Sequence, residues 1–165
     1  MDEGTVSVII PTYNMEKYVG TAIESVLDAG YPDVEVICVD DGSTDSTSEV
    51  VRAFTEPEEK THDERVRYRR QRNQGKPAAV NTGIRMMTGE YFTLLDADDT
   101  IPPGSIRKRA RALRKRPDCD VVIGGFAVVD DDGDVLGERS APRDVSARTL
   151  KLLFYLSHKT PFHFN

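Results

Sequence analysis

Val34-Glu35-Val36-Ile37-Cys38-Val39 runs straight into Asp40-Asp41-Gly42-Ser43. A nearly continuous apolar run that stops at a polar, glycine-containing turn reads as a buried parallel strand. The same pattern recurs on both sides. Val6-Ser7-Val8-Ile9-Ile10 is rich in β-branched residues and stops at Pro11. Val66-Arg67-Tyr68-Arg69 alternates apolar and basic. Tyr91-Phe92-Thr93-Leu94-Leu95 stops at Asp96, and Val121-Val122-Ile123 with Val128-Val129 suggests a longer strand. Helical patterns fill the gaps. Val19, Ile23, Val26 and Leu27 share one helix face. Ser46 and Glu49 have capping-box spacing before Val50, Val51 and Phe54, with Asp45 or Ser46 as the cap. Pro77 suits a helix start and Gly89 its end; Pro103 opens a fourth helix through Ile106, Ala110 and Leu113. Strand and helix in alternation predict an α/β fold, a mostly parallel Rossmann-like sheet flanked by helices.

The chain has 165 residues, 38% of them hydrophobic and 30% charged. That predicts one globular domain over 1–165. No apolar run reaches the roughly 18–20 residues of a membrane span. Met1-Asp2-Glu3-Gly4 lacks the basic start of a secretory signal. A balance of 22 basic and 28 acidic residues gives a net charge of −6, which argues against nucleic acid as a partner. Cys38 and Cys119 form no CxxC pair, so neither a disulfide framework nor a structural zinc site is expected, and a reducing cytoplasmic setting fits. Val129-Asp130-Asp131-Asp132-Gly133-Asp134-Val135-Leu136 reads as a hairpin with an Asp-Gly turn. Its acidic spacing does not match an EF-hand loop.

In an open parallel sheet, ligands bind beyond the carboxyl ends of the strands. Three polar clusters fall there: Pro11-Thr12-Tyr13-Asn14, Asp40-Asp41-Gly42-Ser43-Thr44-Asp45, and Asp96-Ala97-Asp98-Asp99. Converging aspartates repel one another unless a cation, ligand donor or proton compensates them. Asp96 and Asp98, two apart at a strand end, can turn toward one site and offer hard oxygens to Mg²⁺ or Mn²⁺. An isolated pair of this kind is more often turn and capping chemistry. Asp40 and Asp41 exceed what capping requires, and a carboxylate there can meet a base imide or a ribose hydroxyl. No glycine-rich dinucleotide fingerprint, P-loop or GxSxG elbow is present. Any nucleotide binding must therefore rest on the aspartates and not on a glycine-rich phosphate cradle.

Taken together, four segments resemble glycosyltransferase family 2, whose fold is of the GT-A type. They are Val6 to Asn14, Val39 to Asp45, Asn73-Gln74-Gly75-Lys76-Pro77-Ala78-Ala79-Val80-Asn81-Thr82-Gly83, and Gly89 to Asp99. The resemblance implies an inverting glycosyltransferase. It would carry a sugar from a nucleotide-diphosphate-sugar donor, UDP-linked by preference, to a glycan or lipid-linked acceptor hydroxyl. It implies a divalent metal, Mn or Mg, and a role in polysaccharide biosynthesis. By the same resemblance Pro11, Thr12 and Tyr13 line the nucleoside pocket, Asp40 and Asp41 meet base and ribose, and Lys76 and Asn81 lie near the nucleotide. Asp96 approaches the ribose or a metal-bound water, and Asp98 binds the metal. The family's general base is usually an Asp in a Glu-Asp pair beyond the DxD strand. None occurs in the C-terminal third, so the resemblance implies a chain truncated at its C-terminus. The acceptor half would be largely missing, and the base would lie beyond Asn165. The Q-x-x-R-W motif is absent too, and Arg139, Arg143 and Arg148 do not replace it.

Two rivals are a nucleotidyltransferase, which usually needs a glycine-rich basic loop near its start, and a non-catalytic nucleotide-sugar-binding module. Arg107 to Arg116 is densely basic; a solvated helix face is the plain reading, and peripheral contact at the cytosolic membrane face the functional one. Arg65, Arg67, Arg69, Arg70 and Arg72 bracket the third strand; they read as charge protecting an edge strand, or as a source of one group that reaches a base or diphosphate. His158 and His163 are candidate bases by chemistry, with solvated or packing histidines as the plain reading. Leu150, Leu152, Leu153, Phe154 and Leu156 read as core.

Overall fold

A computed structural model describes residues 4–56, 58–130 and 133–140. They fall into two compact units, within Met1–Val122 and within Ile123–Asn165. In the first unit the chain runs β1 (Val6–Thr12), α1 (Val19–Leu27), β2 (Val34–Asp40), α2 (Thr47–Ala53), β3 (Val66–Arg70), α3 (Lys76–Met86), β4 (Tyr91–Leu94) and α4 (Ser105–Lys115). All four strands are parallel, in the order β3-β2-β1-β4. The alternation read from the sequence therefore yields the expected sheet.

β1 and β2 are buried along their whole length because both are central and covered on both faces. One face carries the main core. There Val8, Ile10, Val36 and Cys38 meet Val19, Ile23 and Val26 of α1, Val51 of α2, and Ile106 and Ala110 of α4. The other face is smaller, with Ile9, Ile37 and Val39 under Ala79 of α3. From β1 the chain moves outward through β2 to β3. It then crosses the opposite face by α3 to reach β4 on the far side of β1. The order reverses at β1, which makes the carboxyl ends of β1 and its neighbours the switch point of the sheet.

The fit of α3 is close. A Cβ at Gly83 would collide with the side chain of Ile9. Replacing a helical glycine by alanine ordinarily gains about 1 kcal/mol. Here the clash reverses the sign, and Gly83→Ala is expected to lose about 2 kcal/mol. A lower urea midpoint with an unchanged slope is the expected readout.

Local chemistry differs from expectation in three places. Ser46 precedes α2 without a side-chain capping bond. Asp45 does the capping, its Oδ1 accepting from the Thr47 amide at 3.0 Å, while Glu49 pairs with Ser48 instead of closing a box. The helix expected from Pro103 starts two residues later, at Ser105. No strand forms at Val121-Val122-Ile123, because Gly124 and Gly125 follow with no side chains to pack. In the second unit, β5 (Phe126–Val129) and β6 (Val135–Arg139) pair antiparallel as the expected hairpin. His158, His163, Arg143, Arg148 and the apolar run from Leu150 to Leu156 lie outside the described residues.

Candidate active site

Four loops, those after β1, β2, β3 and β4, meet at the carboxyl ends of the strands. The β1–α1 loop is laced to the β2–α2 loop. The Asn14 amide donates to Ser43 Oγ at 3.0 Å, Asn14 Oδ1 accepts from the Thr44 amide at 2.8 Å, and the Met15 amide donates to Thr47 Oγ1 at 2.8 Å. Asn14 holds a positive φ of 54°, a conformation that asparagine tolerates better than most residues.

The two adjacent aspartates part company. Asp40 is fully buried and turns away from the loop cleft. Its carboxylate accepts from the Ser43 amide at 2.7 Å and from Tyr68 Oη at 2.9 Å, with Arg70 Nε at 3.6 Å. Burial, followed by that bond to Asp40, pushes the Tyr68 phenol well above its ordinary 10.0, so it stays a donor. Asp41 faces the third loop. Its Oδ1 accepts from Gln71 Nε2 at 2.8 Å and the Gln74 amide at 2.9 Å, and its Oδ2 from the Gly75 amide at 2.7 Å. Gly42 follows with φ of 81°, and a Cβ there would meet the Asn73 amide at 2.9 Å. A side chain at 42 would push this loop away.

These loops enclose a cleft of about 520 Å³ lined by Pro11, Thr12, Tyr13, Met15, Asp41, Asn73, Gly75, Lys76, Ala79, Asp96, Ala97 and Asp98. Seven of the nine residues nominated from the sequence are among them. Asp40 and Asn81 are not. Asp40 is withdrawn beneath the β2–α2 loop, as described. Asn81 is exposed on α3, and five residues along a helix from Lys76 correspond to a turn of about 140°. Sequence reading overlooked Met15 and Ala79, which supply apolar wall. Periodicity marks such residues as core and cannot tell wall from core.

At the mouth, Lys76 Nζ donates to Asp96 Oδ1 at 2.6 Å, with both side chains roughly half exposed. Asp98 is exposed and has no hydrogen-bond partner among the described residues. Asp99 keeps solvent access, yet desolvation raises its carboxyl above the ordinary 3.8, followed by the charges of Asp98 and Asp96, against the pull of Lys76. Three carboxylates against one ammonium leave this rim electronegative. On the floor, Thr12 Oγ1 is buried without a hydrogen-bond partner, which a ligand donor or acceptor would satisfy.

A divalent ion fits this donor set. Asp98 and Asp96 present hard carboxylate oxygens to the cleft. No group of three His, Cys, Asp or Glu side chains among the described residues forms a metal cluster. An ion would thus be held by one or two carboxylates and completed by ligand oxygens. No described helix is long and apolar enough to cross a membrane.

Comparison with known proteins bears on this cleft. The family model described as glycosyl transferase family 2 matches residues 7–164. The glycosyltransferase GlyG of Streptococcus pneumoniae serotype 4 is 39% identical over 131 residues, 78% of this chain and 42% of GlyG. GlyA of the same organism is 33% identical over 121 residues, 73% of this chain and 16% of GlyA. Among solved structures, S. aureus TarS in complex with UDP-GlcNAc superposes with a TM-score of 0.60 at 28% identity, over 68% of this chain and 32% of that one. The mannosyltransferase PcManGT from Pyrobaculum calidifontis, in complex with GDP-Man and Mn²⁺, gives 0.59 at 29% identity, over 77% and 36%. This chain spans less than half the length of each of these relatives. Its parallel sheet flanked by helices matches theirs, the GT-A architecture.

Proposed function

This chain belongs to glycosyltransferase family 2, and on that premise we propose that its cleft binds a nucleotide-diphosphate sugar for transfer to an acceptor hydroxyl. One observation carries the reading: residues from four separate loops, nominated by motif, line a single cleft at the switch point of the sheet. The ligands in the solved relatives, UDP-GlcNAc in one and GDP-Man with Mn²⁺ in the other, support a nucleotide sugar and a divalent metal.

Each residue then has a task. Pro11, Thr12 and Tyr13 form the nucleoside wall, and the orphaned Thr12 hydroxyl gains a partner there. Asp41 holds the loop of Gln74 and Gly75 in place and lines the base end. Lys76 carries the positive charge toward the diphosphate. Asp98, with Asp96, holds the metal, which when bound neutralises the leaving diphosphate. Direct attack by the acceptor hydroxyl opposite the diphosphate inverts the anomeric centre. The acceptor is a glycan or a lipid-linked sugar, which places the reaction in polysaccharide assembly, in the cytoplasm or at its membrane face.

A thermal-shift panel of nucleoside diphosphates, each with Mn²⁺ and with chelator, tests this reading. At a ligand concentration near a hundred times Kd, stabilisation of about 2.7 kcal/mol is expected, which raises Tm by roughly 8 °C for a chain of this size. Uridine diphosphate with Mn²⁺ should give the largest shift. No shift with any nucleoside diphosphate would sink the proposal.

A further inference from the structure

α4 carries a dense run of positive charge. Seven of the chain's 22 basic residues fall between Arg107 and Arg116, where there is no acidic one, leaving 15 basic against 28 acidic residues elsewhere. A surface helix is normally laced with opposite charges three or four residues apart. Here Lys108, Arg111 and Lys115 follow one another at spacings of three and four, all exposed, and none has a side-chain hydrogen bond or ion pair among the described residues. Like charges at such spacings weaken a helix. This one is kept in place by burial of Ile106 and Ala110 in the main core.

The position of the helix matters as much as its charge. The Gly104 amide donates to the Ala29 carbonyl at 2.9 Å, and Arg107 Nη2 to the Gly30 carbonyl at 2.8 Å. Both partners precede β2. The helix therefore begins at the amino-terminal strand ends, at the far end of the sheet from the cleft. A surface touching it would leave the cleft open.

We propose that the outer face of α4 is a docking surface for a bilayer containing anionic lipid headgroups. Eleven residues make a cationic ridge about 16 Å long. Its Lys and Arg side chains have apolar stems and charged heads suited to the headgroup layer. A long nucleic acid would continue past it over a surface rich in carboxylates, so charge complementarity favours the bilayer. This inference goes beyond the donor cleft and does not depend on it.

Sedimentation of the full chain with phosphatidylcholine vesicles, with and without phosphatidylglycerol, tests it in the absence of nucleotide. Binding is expected on the anionic vesicles alone and should weaken as salt rises. Each basic residue at an anionic surface adds roughly fivefold to the partition. The triple variant Lys108→Gln, Arg111→Gln, Lys115→Gln should therefore lose roughly a hundredfold, and Arg111→Gln alone about fivefold. Relief of like-charge repulsion should leave the triple variant's melting temperature equal or higher, which separates lost docking from lost folding. Equal partition onto neutral and anionic vesicles overturns the proposal. So does wild-type partition by the triple variant. Tighter binding to a duplex oligonucleotide than to the vesicles at the same salt also overturns it, in favour of nucleic acid.

Discussion

Asp98→Ala is expected to lower the affinity for uridine diphosphate in the presence of Mn²⁺ by about a hundredfold, near 3 kcal/mol. The reason lies in the sparseness of the site. No cluster of three metal-ligating side chains exists among the described residues, so the proposed ion would depend on very few protein oxygens and on the diphosphate itself. Asp98 lines the cleft and is engaged by no other described residue. Removing it takes away a ligand and opens no packing defect. Calorimetry should find the variant with Mn²⁺ about as weak as the wild type with chelator, while the melting temperature without ligand stays unchanged. Mn²⁺ alone should bind poorly to both proteins. Equal affinity in wild type and variant, with and without chelator, would reject the metal assignment.

The largest stability effect is expected at Glu35, far from the cleft. Its carboxylate, nearly buried, accepts from Ser7 Oγ at 2.6 Å, the Thr88 amide at 2.6 Å, Thr88 Oγ1 at 3.0 Å, the Gly89 amide at 3.2 Å and Arg67 Nη1 at 3.1 Å. It ties β1, β2, β3 and the turn before β4 to one another. Glu35→Ala strands the buried Ser7 hydroxyl donor and takes the acceptor from the Thr88 amide, while the Gly89 amide keeps Ser7 Oγ at 3.0 Å. The expected loss is about 3 kcal/mol, or roughly 10 °C in Tm. Desolvation alone would raise this carboxyl, but bonds from Ser7, Thr88 and Arg67 outweigh it and hold it below the ordinary 4.5. A carboxylate with a depressed value in the folded state stabilises the fold above its unfolded value and loses that contribution as pH falls through the folded one. Wild-type stability should therefore decline below pH 4.5 more steeply than that of Glu35→Gln, which cannot titrate there. Parallel pH curves for the two proteins would refute the role.

The strands could be read because burial on both faces writes an unbroken apolar run, as in Val36-Ile37-Cys38-Val39. The helices could be read because Val19, Ile23 and Val26 keep one face. The cleft could be read in outline because polar clusters at strand ends have nowhere else to point. What the sequence hid is pairing at long range. Asp40 and Asp41 look equivalent in a row of residues. Strand alternation sends one toward Tyr68 and the other toward Gln71, Gln74 and Gly75, about thirty positions along the chain. Glu35 looks like a solvent-facing break in an apolar strand. Its partners at Ser7 and Thr88 are invisible to any local window.

Under the proposed function, Asp41 would also bear on which base the cleft prefers. A carboxylate has about four acceptor positions, and the loop before α3 already occupies three of them. One remains. Discrimination at this wall then becomes a matter of counting donors. A pyrimidine edge with a single imide N–H matches the vacancy in number. A guanine edge, with two neighbouring donors, leaves one unmet unless the loop of Gln74 and Gly75 gives up its own hold. Selecting the wrong nucleotide would thus cost the protein part of its own scaffold.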